Sequence, residues 1–208
     1  MEYHDINDLF QAVAAIAAPA GKPCVIALYG GPASGKTTLA ADLQKQFANS
    51  VVMSTDDFLI GTRTYRREHF EGKTSPTSKY DAEFLNGLID KLGAMAKGDI
   101  VRLPRYNEQT GEALSVGYEN FPVTVEQKPD FIFIEGDFDF LSAENKPALT
   151  VFIDVPDETR LQRRIARDVV TRNANEDAVR KSFAARQETQ FIPYTLKLRD
   201  QADILYTP

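Results

Sequence analysis

The chain has 208 residues, 43% of them hydrophobic, enough for one well-buried α/β domain spanning 1–208 and short for two. Its 24 Lys and Arg against 30 Asp and Glu give a formal charge of -6, which argues against a surface that holds nucleic acid or an anionic membrane by bulk electrostatics. The single cysteine, Cys24, permits no intrachain disulfide and no apolar run approaches the roughly 18 residues that span a bilayer, so a cytoplasmic protein is expected, with no membrane partner.

Residues 1–20 read as a helix, because Ile6, Leu9, Phe10, Val13 and Ile16 fall on one stripe. Strand-like runs follow at "CVIALYG", "SVVMST", "DFIFIEG" and "LTVFIDVP", with a short last one at "ADILY". Helix-like stretches separate most of them, and this alternation predicts a parallel sheet covered by helices on both faces. Two connections are long. "LIGTRTYRREHFEGKTSPTSKYD" has no clear period and reads as an excursion over the sheet edge. "VRLPRYNEQTGEALSVGYENFPVTVEQKPD" has short apolar alternation around a glycine turn, which suggests a β-ribbon.

The strongest local signal is Gly30-Gly31-Pro32-Ala33-Ser34-Gly35-Lys36-Thr37, which satisfies G-x-x-x-x-G-K-[ST] between a strand and the helix-like run "TTLAADLQKQF", and these residues with Thr38 are expected to bind the nucleotide. Glycines there let backbone N–H groups turn toward an anion, and the following helix adds its positive end. Lys36 is then expected to reach the β- and γ-phosphates of ATP, and the Thr37 hydroxyl to ligate Mg²⁺. A guanine-reading Asn-Lys-x-Asp element has its nearest counterpart in Asn145-Lys146-Pro147-Ala148, which lacks the aspartate and weakens the case for a GTPase switch.

Acids close two of the strands. Asp56 and Asp57 follow "SVVMST", where the carboxyl edge of a parallel sheet meets its ligand. A carboxylate there would orient an acceptor hydroxyl and take its proton, and successive residues point different ways, so one of the pair is expected to face the acceptor. Glu135 ends "DFIFIE" and is the expected Mg²⁺ or water-shell ligand, with Asp137 in reserve. In "PDETRLQRRIARDVVTRN", Arg160, Arg163, Arg164 and Arg167 share a helical face, and Arg172 lies further along. Leu161, Ile165 and Val169 are expected to pack that helix on the domain, which would leave the arginines as a cationic stripe for a transferring phosphoryl group.

Seven segments in order, "GGPASGKTTLA", "STDDFL", "KYDAEFLNGLIDKL", "VRLPRYN", "FIFIEG", "RLQRRIARDVVTR" and "ADILY", make the chain similar to the uridine kinase, phosphoribulokinase and pantothenate kinase group of phosphate-loop small-molecule kinases. That resemblance implies a three-layer α/β fold with a five-stranded parallel sheet, an added β-ribbon and a helical lid over 157–175. It places the catalytic base at Asp56, with Lys36 and Arg167 as its catalytic partners, and sets Arg164, Arg167 and Arg172 beside the ATP phosphates. By position Asp57, Tyr80, Arg105 and Tyr106 become acceptor-site residues. The acceptor segments depart from uridine kinases: "GKTSPTSKYD" lacks their Phe-Asp and His-Pro pairs, and "EQTGEALS" lacks their histidine. The expected activity is an ATP- and Mg²⁺-dependent transfer to a hydroxyl of a small metabolite, with room for a homo-oligomer. The rivals are a uridine/cytidine-type kinase with an altered base pocket and a regulatory ATPase with no small-molecule acceptor.

Overall fold

A computed structural model describes residues 1–16, 21–70, 75–107, 111–113 and 122–208, the Arg172 side chain excepted. The chain opens with strand β1 (Glu2–Tyr3) and helix α1 (Ile6–Ala14), then enters β2 (Cys24–Tyr29), α2 (Lys36–Gln46) and β3 (Ser50–Ser54). A 3-10 turn (Thr55–Phe58), α3 (Arg63–His69), a second 3-10 turn (Pro76–Lys79) and α4 (Ala82–Ala94) make the first long connection. The ribbon strands β4 (Val101–Leu103), β5 (Tyr106–Asn107), β6 (Glu112–Ala113) and β7 (Val123–Val125) come next, followed by β8 (Phe131–Gly136) and β9 (Leu149–Ile153). Helices α5 (Asp157–Arg172) and α6 (Glu176–Arg186), a π-helical segment (Gln187–Thr195), α7 (Leu196–Gln201) and β10 (Ile204–Tyr206) end it.

The main sheet is parallel throughout, in the order β1-β10-β9-β2-β8-β3. It has six strands where five were expected. The extra one is β1, whose two residues pair with Leu205 and Tyr206 and carry too little apolar pattern to be seen in isolation. The helix expected over 1–20 is accordingly shorter, Ile6–Ala14, started by an Asp5 carboxylate that accepts from the Asn7 N–H; residues 17–20 lie outside the described part.

Every residue of β2 is buried, as a central parallel strand requires. Its alternate side chains feed a core on each face, with Ala27 and Tyr29 joining Phe152 and Phe191 in a third cluster. Cys24, Ile26 and Leu28 meet Leu9 and Val13 of α1 and Leu39 and Leu43 of α2 on one face. On the other, Val25 joins Met53, Ile132 and Ile134 against Leu85, Leu88, Ile89 and Leu92 of α4, which recur at the spacing of one helical face. The ribbon forms two antiparallel pairs, Val101–Leu103 with Val123–Val125 and Tyr106–Asn107 with Glu112–Ala113. Helix α3 was not foreseen, since the buried residue of that seven-residue segment is an arginine, Arg66.

Candidate active site

Strand register brings the chemistry to one edge. Glu135 on β8 lies level with Leu28 on β2 and with Ser54 on β3, so the loop after Tyr29, the acid of β8 and the turn after Ser54 leave the sheet side by side. The neighbours of β2 are β8 and β9, and chain direction around the sheet reverses there, which makes a crevice outside the carboxyl ends of the strands.

The loop Gly30–Gly35 wraps into the N-terminus of α2. Gly35 takes a left-handed backbone (φ 105°) as the N-cap residue, and Ala33 is also left-handed (φ 63°), at a cost of about 1–2 kcal/mol for a residue with a Cβ. A side chain on Gly31 would run into the Arg160 guanidinium and the Phe191 ring, so glycine is required by close approach there. Pro32 contributes its carbonyl, which accepts from Arg160 Nη1 at 3.5 Å, and the Ser34 carbonyl accepts from Arg163 Nη1 at 3.2 Å. Ser34 Oγ is buried with no hydrogen-bond partner, an orphaned polar atom inside the loop.

Lys36 is buried and donates to the carbonyls of Gly30 (2.8 Å) and Gly31 (3.1 Å) and to Asp137 Oδ1 (2.7 Å). Thr37 and Thr38 are solvent-exposed in the first turn of α2, and the Thr37 hydroxyl donates to Glu135 Oε1 at 3.3 Å. Burial pushes the Glu135 carboxyl up in pKa, Lys36 opposes this, and the negative charges of Asp56 and Asp137 add to it. Among the described residues no three His, Cys, Asp or Glu side chains gather as a metal cage. One hydroxyl beside one carboxylate nevertheless suits Mg²⁺, which takes few protein ligands and completes its shell with substrate phosphates and water.

Asp56 and Asp57 diverge. Asp57 is 3% exposed and accepts from Arg105 Nη1 (2.8 Å), the Tyr106 N–H (2.7 Å) and the Ser54 N–H (3.1 Å). Its contacts are therefore internal: it closes a capping box on the turn and fastens the ribbon to β3. Arg105 is committed to the same work, its second Nη donating to the Val52 carbonyl at 3.0 Å. Asp56 instead reaches solvent at the mouth of the crevice, where Tyr80 Oη donates to its Oδ1 at 3.4 Å. Surrounding protein desolvates the Asp56 carboxyl and raises its pKa, Asp137 raises it further, and Arg186, Lys36 and Lys79 pull it back. The pairing of 58–60 with 79–81, through the Leu59–Tyr80 bridge and the Ile60 N–H to Lys79 carbonyl bond (2.8 Å), sets Lys79 and Tyr80 beside the acid.

Helix α5 corrects the expected orientation. Its inward face carries Arg160 (1% exposed), Arg164 (6%) and Asp168 (4%), whereas Leu161 and Ile165 are only half-buried and Val169 is 42% exposed. Arg160 stacks on Phe191 at 4.1 Å, and donates to the Val155 carbonyl (3.2 Å) and Gln187 Oε1 (3.1 Å) as well as to Pro32. It thus ties the phosphate loop to the π-helical segment. Arg164 donates to Ser182 Oγ (2.8 Å) and pairs with Asp168 (3.4 Å), leaving its buried Nη1 without a partner, and Arg167 donates to Asp168 Oδ1 at 2.8 Å. Aromatic packing and satisfied hydrogen bonds make guanidiniums tolerable inward, and a spacing argument that equates charge with solvent misses this. The Arg172 side chain lies outside the described part.

Five residues carried no signal in the sequence. Phe138, Phe140 and Tyr194 continue an aromatic wall from Tyr80, with ring centroids 4.8–6.1 Å apart. Thr195 donates to the Asp137 carbonyl at 2.7 Å and holds that wall to the acid loop. Arg186, at the end of α6, acts electrostatically on Asp56, Lys79 and Tyr80.

Comparison with known proteins agrees with this architecture. The chain is 28% identical over 204 residues to a chloroplastic uridine/cytidine kinase of Arabidopsis thaliana, covering 96% of this chain and 40% of that protein. It is 28% identical to a uridine kinase of Brevibacillus brevis, covering 86% of this chain and 84% of the relative. It spans about 40% of the length of the plant relatives it matches. A candidate fructose transport system kinase from Silicibacter sp. TM1040 shares the fold at 20% identity, with a TM-score of 0.69 over 99% of this chain and 100% of that one. The model of the Phosphoribulokinase / Uridine kinase family matches residues 25–207, and the chain belongs to that family.

Proposed function

We propose that the chain is an ATP- and Mg²⁺-dependent kinase that phosphorylates a hydroxyl of a small metabolite. The observation that carries this reading is the convergence of Lys36, Thr37 and Glu135 with a solvent-facing acid, Asp56, at one sheet edge. A carboxylate in that place takes a proton from an acceptor hydroxyl, or from water in a hydrolytic ATPase, and the acceptor screen below separates the two. Asp56 accepts the hydroxyl proton as the new oxygen–phosphorus bond forms, the bond from the γ-phosphorus to the β–γ bridging oxygen breaks, and ADP leaves. Tyr80 orients the acid through its hydrogen bond. Lys36 exchanges its present carbonyl and Asp137 partners for phosphate oxygens, and the buried Ser34 hydroxyl lies ready in the same loop. Thr37 and Glu135 would hold Mg²⁺, which would supply charge neutralisation. Arg167, whose side chain is 44% exposed, adds positive charge from the lid side for the transferring group.

Two features favour a second reading, a nucleoside acceptor: the names of the uridine kinase relatives and the aromatic wall of Tyr80, Phe138, Phe140 and Tyr194. ADP release measured against nucleosides, sugars, sugar phosphates and hydroxy acids separates the readings. Turnover that rises with one acceptor class identifies it, and turnover indifferent to every acceptor but raised by a protein partner returns the chain to a regulatory ATPase.

A further inference from the structure

Among the described residues Lys36 donates to three oxygens, and two of them, the carbonyls of Gly30 and Gly31, belong to its own loop. The third, Asp137 Oδ1 at 2.7 Å, comes from the loop after β8 and makes an ion pair whose two side chains are 9% and 26% exposed. The backbone that carries this acid is fixed from both sides. Gly136 passes so close to the turn before Asp56 that a Cβ on it would overlap the Thr55 side chain. The Asp137 carbonyl accepts from the buried Thr195 hydroxyl at 2.7 Å, and the next residue, Phe138, is 3% exposed between the Tyr80 and Tyr194 rings. A carboxylate on a backbone held in this way stays within reach of the Lys36 ammonium.

An ammonium has three N–H donors, and Lys36 uses all of them. To bond a β- or γ-phosphate oxygen it must release an acceptor, and Asp137 is the acceptor that carries the charge a phosphate replaces. The displaced carboxylate then faces an anion without its counterion. We propose that Asp137 is an internal competitor for Lys36, which lowers the affinity of the phosphate loop for nucleotide and speeds the departure of ADP after transfer. This role rests on the assignment of Lys36 to the nucleotide phosphates in the kinase reading above, and adds to it a residue that works against binding. Such a residue is useful because release of product, rather than chemistry, limits many enzymes of this kind. Loss of the Asp137 charge should therefore strengthen nucleotide binding, whereas loss of a metal ligand or of a structural acid would weaken it or leave it unchanged.

The test uses the full chain with ADP as the probe. Affinity is read by calorimetry in Mg²⁺ and again in EDTA, and dissociation by stopped flow with a fluorescent ADP analogue. Asp137→Asn should bind ADP about ten-fold more tightly in both conditions, with most of the gain in slower dissociation. Asp137→Glu keeps the charge and should stay within about three-fold of the parent. Lys36→Met should bind ADP more weakly, and adding Asp137→Asn to it should change affinity by less than about two-fold, because the ammonium under competition is gone. Circular dichroism reports whether each variant is folded, and Asp137→Ala replaces Asp137→Asn if the latter is not. Unchanged or weaker ADP binding in the folded variant, with Lys36→Met still weak, overturns the competitor and leaves Lys36 at the phosphates. Weakening in Mg²⁺ alone assigns Asp137 to the water shell of the metal and likewise overturns it. A gain that persists in full without Lys36 is a general charge effect, and it too overturns the competition. Affinity indifferent to Lys36→Met, or no ADP binding by any form, removes the phosphate-loop reading and the competitor with it.

Discussion

The adjacent acids Asp56 and Asp57 should respond in opposite ways to the same change. Asp57→Asn keeps one acceptor oxygen, which can hold the Tyr106 N–H, but turns an amide NH₂ toward the Arg105 guanidinium and the Ser54 N–H. Donor then faces donor at two bonds of 2.8 and 3.1 Å in a site that is 3% exposed. Each lost partner at a buried site costs about 1–3 kcal/mol. Arg105 is about a third exposed and recovers part of its loss from water, so about 2–4 kcal/mol is expected in total. For a domain of this size that is a fall in Tm of about 5–15 °C. Asp56→Asn loses no structural bond beyond the 3.4 Å contact from Tyr80, so its Tm should move little. Its turnover should fall by about two to four powers of ten, the range of a positioned general base. Thermal unfolding followed by circular dichroism and ADP release by coupled assay, on both variants, decide the matter. An unchanged Tm in Asp57→Asn refutes the fastening role, and full activity in Asp56→Asn refutes the base.

Lys36→Ala should weaken Mg·ATP binding and nearly abolish turnover in a folded protein, as binding calorimetry and kinetics would show; unchanged affinity removes the phosphate-loop assignment. Arg160→Ala should cost about 3–5 kcal/mol of stability and loosen the loop, because it deletes a buried guanidinium stacked on Phe191 and bonded to Val155, Pro32 and Gln187. An unaltered unfolding midpoint in denaturant would contradict this. The acid limb of kcat/KM should lie above the ordinary aspartate value of 3.8, since the base works deprotonated and the crevice raises its pKa. Asp137→Asn removes a negative neighbour and should move the limb to lower pH, whereas Lys79→Met removes a positive one and should move it higher; a shift of both in one direction would exclude Asp56 as the titrating group.

The phosphate loop, the parallel α/β alternation and the ribbon were legible in the sequence because each depends on short-range chemistry. Glycine spacing dictates loop backbone, apolar periods of two and 3.6 dictate which face is buried, and the chain order of these pieces is that of the family. The six-stranded count was not legible, because β1 has only two residues and acquires its identity by pairing with Leu205 and Tyr206 at the far end of the chain. Nor was the sidedness of α5, whose arginines are buried by partners about thirty residues on, Phe191 and Gln187. The division between Asp56 and Asp57 was half legible: alternation demanded that they diverge, but only Arg105 and Tyr106, brought in from the ribbon, decide which one turns inward. Lys79 marks no motif, and its place beside Asp56 exists only once the Leu59–Tyr80 bridge has formed. Local hydrogen bonding and periodicity are properties of neighbouring residues, whereas charge compensation belongs to whichever groups the fold brings within a few ångströms.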